Sequence, residues 1–256
     1  MDEVVWMNFF FVLNGKVLKQ LSLIVIAAFF AAWFLYLDNL AQLPVFSAKD
    51  GPKAVYRGEK DIALTFNIGW GDEKAGPILD ELEKQNVKSA TFFLAGSWAE
   101  GHPDLVNRIA KRGYEIGLLG YNYEDYSKLE DAKIRKDITK GQEAFRKLNL
   151  TNIKLLRAPT GHFDERTLKI AHQYGLTVVH WSIDSQDWTN PGVKTIAANV
   201  SNAKKGDIVL LHASDSAKQT AKALPLILTE IQQKGLKMVT VSEMIANVRA
   251  QSREIN

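Results

Sequence analysis

Three apolar runs end in side chains that could do acid–base chemistry. Arg157 follows one in "LLRAPTG", Asp184 and Asp187 follow another in "WSIDSQDW", and His212 closes a third in "IVLLHAS". If a fold gathers these ends, an aspartate beside the imidazole would orient the ring, raise its pKa and suit it to act as a general acid. Two other run ends carry no such groups. "LTFNIGWGDE", Leu64 to Glu73, ends in Asn67 and Ile68 with no carboxylate before Asp72, and "EIGLLGYNYED" offers Leu119 and Tyr123. An amide is not a base at neutral pH, and alkyl side chains ligate nothing. Asp72, Glu73, Glu124, Asp125 and His162 lie close enough in sequence to rebuild a site. Asp72 and Glu73 are better suited to cap the helix that follows, and Glu124 and Asp125 to a solvated loop. His102, His162, His172 and His180 have no partner that the sequence identifies.

The elements that would position these residues alternate from about residue 60. Strand-like runs are "DIALTF", "SATFFLAG", "EIGLLG", "IKLLRA", "TVVHWSI", "DIVLLHA" and "KMVTV". Helical patterns run over 73–85, 103–112, 131–148, 164–174, 193–203, 217–234 and 242–249. Asp164 with Thr167 opens one helix, Ser242 opens the last, and Gly113, Gly175 and Gly235 stand where helices end. Such alternation implies βαβ units and a parallel sheet, closed as a (β/α) barrel or open and doubly wound. No glycine-rich phosphate loop follows the first strand, which favours the barrel. Chemistry in such a barrel sits at the C-terminal strand ends.

At 256 residues, 46% hydrophobic and 24% charged, the chain fits one domain with an appendage. It has no cysteine, so disulfides and thiolate chemistry are excluded. A net charge of +3, without basic runs interleaved with aromatics, argues against nucleic acid. The appendage is Leu21 to Leu37, "LSLIVIAAFFAAWFLYL", close to the roughly 20 residues of a membrane span. Lys16 and Lys19 before it and Asp38 after it orient the body outside the cytoplasm, although Lys49, Lys53 and Arg57 weaken the asymmetry. A cleaved signal peptide is the competing reading, which would leave the body secreted. The bulky end of the run, with no small-residue cleavage site after it, favours an uncleaved anchor. The expected layout is a short cytoplasmic segment (1–20), a transmembrane helix (21–37), a linker (38–57), the α/β domain (58–250) and a tail (251–256).

The strand-end residues resemble the NodB-homology polysaccharide deacetylases, carbohydrate esterase family 4, and within them the sporulation-associated PdaB type, over roughly residues 58–248. The resemblance implies a distorted (β/α) barrel of about seven parallel strands. It also implies removal of acetyl groups from N-acetylated glycans such as peptidoglycan, with a divalent metal such as zinc held by one Asp and two His. The family's T-F-D-D-G reads "TFNIG" here, with Asn67 at the base position and Ile68 at a ligand position. Its H-x-x-x-H reads with Leu119 and Tyr123 at the histidine positions. "RAPTG", "DSQDW" and "LLH" survive. By resemblance Arg157 positions the base, Pro159 and the Thr160 N–H serve the substrate, and Asp187 tunes the acid. Trp188 and Leu210 would wall the acetyl pocket, and His212 would be the acid. The substitutions imply no bound metal and a lost base, hence a membrane-anchored, extracytoplasmic protein that binds peptidoglycan. A deacetylase with an altered site, and a scaffold with a vestigial cleft, are the alternatives.

Overall fold

The computed structural model describes residues 52–246, together with Lys19, Val25, Ile26, Ala28 and Phe29. The expected membrane span over 21–37 otherwise lies outside the described residues. The four of its residues that are described are helical and exposed, and among the described residues no helix is long and apolar enough to cross a membrane.

Seven parallel strands form one curled sheet: β1 (Ala63–Ile68), β2 (Thr91–Leu94), β3 (Glu115–Leu118), β4 (Leu155–Leu156), β5 (Thr177–Val178), β6 (Ile183–Asp184) and β7 (Ile208–His212). Their order is β5-β4-β3-β2-β1-β7-β6, so β1 is central and β5 and β6 are the two edges. Strand number and parallel sense match the expectation, but two of the strands differ. "TVVHWSI" breaks into β5 and β6 on opposite edges. "KMVTV" contributes only one bridge, Met238 to Ile62, rather than a ladder. The curled sheet is thus a half-barrel that no β5–β6 ladder closes. Residues just ahead of β1 reach the β5 edge and the start of β7: Val55 N–H donates to the Val178 carbonyl, and Gly58 N–H to that of Gly206.

β1 and β7 are buried along their whole length, as expected of central strands covered on both faces. Alternation sorts them. Leu64, Phe66 and Ile68 join the outer core under the helices, whereas Ala63, Phe93, Leu119, Leu155, Val179 and Ile208 fill the inner face of the curl. Around the sheet lie α1 (Ala75–Lys84), α2 (Gly96–Gly101), α3 (Pro103–Lys111), α4 (Asp131–Lys147), α5 (Glu165–Gln173), α6 (Val193–Val200) and α7 (Thr220–Gln233). Helix α2 was not expected.

Two caps differ from expectation. The α1 N-terminus is not capped by Asp72 or Glu73. Their backbone N–H groups and that of Lys74 all donate to the Asp215 carboxylate, at 2.9–3.0 Å, from the loop after β7. An anion suits that end of the helix dipole, and here it comes from a different strand end. The helical turn at 241–246 opens on Thr240 rather than Ser242. Thr240 N–H donates to Glu243 Oε2 at 2.8 Å and Glu243 N–H returns to Thr240 Oγ1 at 3.2 Å, a capping box.

Candidate functional site

The short turn Asp187–Thr189 brings Asp187 under the end of β7. Left-handed Gln186 (φ 53°) and Asn190 (φ 56°) bound the turn, and the Asp184 carboxylate accepts the Gln186 N–H at 2.8 Å. Asp187 is wholly buried and accepts three strong hydrogen bonds. His212 N–H donates to Oδ2 at 2.8 Å, the Thr220 hydroxyl donates to Oδ2 at 2.6 Å, and the His212 ring Nδ1–H donates to Oδ1 at 2.8 Å. With the carboxylate pinned, the imidazole is fixed in tautomer and orientation, leaving Nε2 for the cleft.

Arg157, at the end of β4, lies completely buried on the inner face. Nη1 donates to Thr65 Oγ1 and Asn67 Oδ1, both at 2.9 Å. Nη2 donates to the His180 carbonyl at 3.0 Å and Nε to that of Val179 at 3.3 Å. The guanidinium lies 4.1 Å from the Phe93 ring centre and 5.5 Å from that of Trp181. Among the described residues no carboxylate meets it. Burial pulls its pKa down to about 9, so it stays protonated at neutral pH.

Ile68 and Leu119 are both fully buried, Ile68 in the outer core and Leu119 in the inner one. Tyr123 leans its ring over Gly69, where an added Cβ would meet it at 2.6 Å. Burial raises the pKa of its phenol, which stays neutral. Thr160 is held at φ 62°. Asn67, Ile68, Leu119 and Tyr123 thus present an amide, two hydrocarbons and a neutral phenol. That set does not fit a divalent metal, which needs carboxylate or imidazole lone pairs. Among the described residues no three His, Asp or Glu side chains are grouped to hold one. The nearby acidic residues are engaged elsewhere. Asp72 pairs with His102 at 2.7 Å. Asp125 accepts from Ser127, Lys128 and His162, which hold its carboxyl well below the usual range. Glu124 accepts from the Asn122 amide.

The strand ends surround a cleft of about 410 Å³ lined by Asn67, Tyr123, Thr160, Leu210 and His212, with Trp70 and Trp188 at its mouth. Asp184 and Trp181 line it too, whereas Pro159 is buried against Gly120. Of the four exposed aromatics in residues 52–246, three border this cleft: Trp70 (53% exposed), Tyr123 (39%) and Trp188 (52%). The sequence reading did not single out Thr65, Trp70, Trp181, Ser214 or Thr220. Thr65 was within reach of it, since period-two alternation puts it on the face of Asn67. Thr220 lies 33 residues from the carboxylate it holds, and no local pattern announces that.

The sequence matches the polysaccharide deacetylase family model over residues 54–179. A peptidoglycan-N-acetylglucosamine deacetylase of Bacillus cereus is 39% identical over 195 residues, covering 75% of this chain and 91% of that protein. An uncharacterised protein of Bacillus subtilis is 33% identical over 77% of this chain, which spans only 62% of that protein's length. Among solved structures, a carbohydrate esterase family 4 pseudoenzyme from Bacillus anthracis superposes with a TM-score of 0.70 at 28% identity, over 76% of this chain and 69% of that one. A mutant of that pseudoenzyme with restored enzymatic activity is equally similar.

Proposed function

This chain belongs to the polysaccharide deacetylase family (NodB homology, carbohydrate esterase family 4), and from that premise we propose that it binds N-acetylated cell-wall glycan, peptidoglycan in particular, without deacetylating it. One observation carries the reading. The cleft keeps its aromatic mouth and its pinned Asp187–His212 pair, while Ile68 and Leu119 are packed into hydrocarbon where metal ligands would be required. A bound metal would polarise the acetyl oxygen and generate hydroxide from water, and nothing in the donor set here supports one. Tyr123 also lines the cleft together with Thr160, whose N–H the resemblance assigns to the oxyanion.

Binding needs none of that. Trp70 and Trp188 offer flat apolar faces for the C–H face of a pyranose, where buried area stabilises contact. His212 Nε2 and the Asn67 amide supply polar contacts that fix orientation. The relatives' activities on peptidoglycan N-acetylglucosamine support the choice of glycan. The apolar run 21–37 supports a membrane tether with the body outside the cytoplasm, and the PdaB-type resemblance supports a role in sporulation.

Titration with N-acetylglucosamine oligomers, read by tryptophan fluorescence and by indole chemical shifts, tests the binding. Saturable shifts at Trp70 and Trp188 are expected, and a Trp188→Ala variant should bind about tenfold more weakly, the scale of one lost aromatic contact. Indole signals that do not move with oligomer would leave the vestigial-scaffold reading standing instead.

A further inference from the structure

The loop after β3 separates two cavities. Tyr123 faces the cleft, while its neighbours Asn122 and Glu124 line a second groove of about 320 Å³ with Leu129, Lys133, Lys136 and Lys140. The three lysines fall at i, i+3 and i+7 of α4, so they share one face. All three are exposed, and among the described residues none forms an ion pair, the Glu100 carboxylate feeling Lys140 only at longer range. Lys140 instead sits over the Tyr121 ring, 5.3 Å from its centre. Of the two acids in the groove, Glu124 accepts from Asn122. Asp137 is buried, and its oxygens take the Tyr121 N–H (2.8 Å), the Asn122 N–H (2.9 Å) and the Tyr126 hydroxyl (2.6 Å). Asp137 therefore does not neutralise the lysines; it pins the loop that partitions groove from cleft. Three like charges on one face repel each other mildly and bind counter-ions weakly, a cost that an anionic ligand would relieve.

We propose that this lysine groove is a subsite for a carboxylate-bearing branch of the glycan held in the adjacent cleft. The inference rests on the glycan-binding reading. It adds that the preferred ligand is a substituted, anionic N-acetylated glycan rather than a neutral homopolymer. A sugar stacked at Tyr123 lies across a single peptide from Asn122 and Glu124, so a branch leaving that sugar over the loop enters the groove without leaving the protein surface. Lysine, a compact charge on a flexible stem, suits carboxylates whose position varies along an extended polymer.

The test compares two probes on the intact chain at about 20 mM and 300 mM salt: a neutral N-acetylglucosamine tetramer, and a peptidoglycan tetrasaccharide carrying its peptide carboxylates. The anionic probe is expected to bind roughly tenfold tighter at low salt, with most of that preference gone at high salt. A Lys133→Gln, Lys136→Gln, Lys140→Gln variant should lose the preference and keep the affinity for the neutral tetramer, its circular dichroism being unchanged. Equal affinity for the two probes, or a preference that survives the triple substitution, would overturn the inference. So would a soluble phosphate polymer that binds through the lysines as tightly as the glycan and is not competed by the tetramer. If the anionic probe binds through the lysines while the neutral tetramer does not bind at all, the glycan cleft falls and the groove stands. Failure of both probes sinks both.

Discussion

Arg157 is the largest fully buried side chain among the described residues, and it faces neutral oxygens only: Thr65, Asn67 and two backbone carbonyls. An amide at position 67 satisfies the hydrogen bond but leaves the charge unmatched. Asn67→Asp should therefore stabilise the fold, by about 1 kcal/mol, because a charged acceptor is worth more than a neutral one. The gain has a defined pH window. Arg157 beside it would hold the new carboxylate's pKa below its unfolded value, so the gain is complete above roughly pH 4 and lost as pH falls through the folded value. Melting curves of the two proteins at pH 7 and pH 3 check this, and an equal difference at both values would refute the pairing. The Asp187–His212 pair was legible in the sequence because both residues end recognisable strand runs. Asn67, Ile68, Leu119 and Tyr123 were legible as substitutions. That the Tyr123 ring would cover Gly69 was not, since it depends on how two loops fold over each other.

At the level of elements, the strand-end loops are held by carboxylates that come from afar. Asp215 gathers three backbone N–H groups at the start of α1, and Asp137 gathers two, with the Tyr126 hydroxyl, from the loop before α4. On the outer layer Glu83 of α1 is clamped by Arg112, just past α3, and by Arg108 of α3. Their hydrogen bonds lower its pKa to about 2. A lowered carboxylate contributes stability that is present above its unfolded pKa of about 4.5 and lost as pH falls through about 2. Glu83→Gln should accordingly flatten this part of the acid limb of stability while leaving the cleft unchanged. Denaturant melts at pH 5 and pH 2.5 report it, and parallel acid limbs in the two proteins would count against the clamp. The helices were legible from periodicity because each buries one stripe. The break of "TVVHWSI" into two edge strands was not, because β-rich composition does not record where a chain crosses from one sheet edge to the other. Nor was the cap from Asp215, which sits 141 to 143 residues from the amides it serves.

For the whole molecule, the proposal joins a membrane tether, a half-barrel and a cleft that recognises without cleaving. The tether makes its own prediction. The intact chain should sediment with membranes and resist extraction by high salt, whereas a chain lacking residues 1–51 should remain in the supernatant. Release of the intact chain by salt alone would contradict an inserted helix. The framework also predicts that restoring Asn67→Asp, Ile68→Asp, Leu119→His and Tyr123→His together yields a metal-binding protein, since the pinned Asp187–His212 pair is already in place. The central claim is retained binding with lost hydrolysis. Acetate release from N-acetylated peptidoglycan fragments, at concentrations that saturate the indole shifts, tests it most directly. The account predicts no acetate above that of an Asp187→Ala, His212→Ala double variant. Acetate produced by the unaltered chain and abolished in that variant would contradict it.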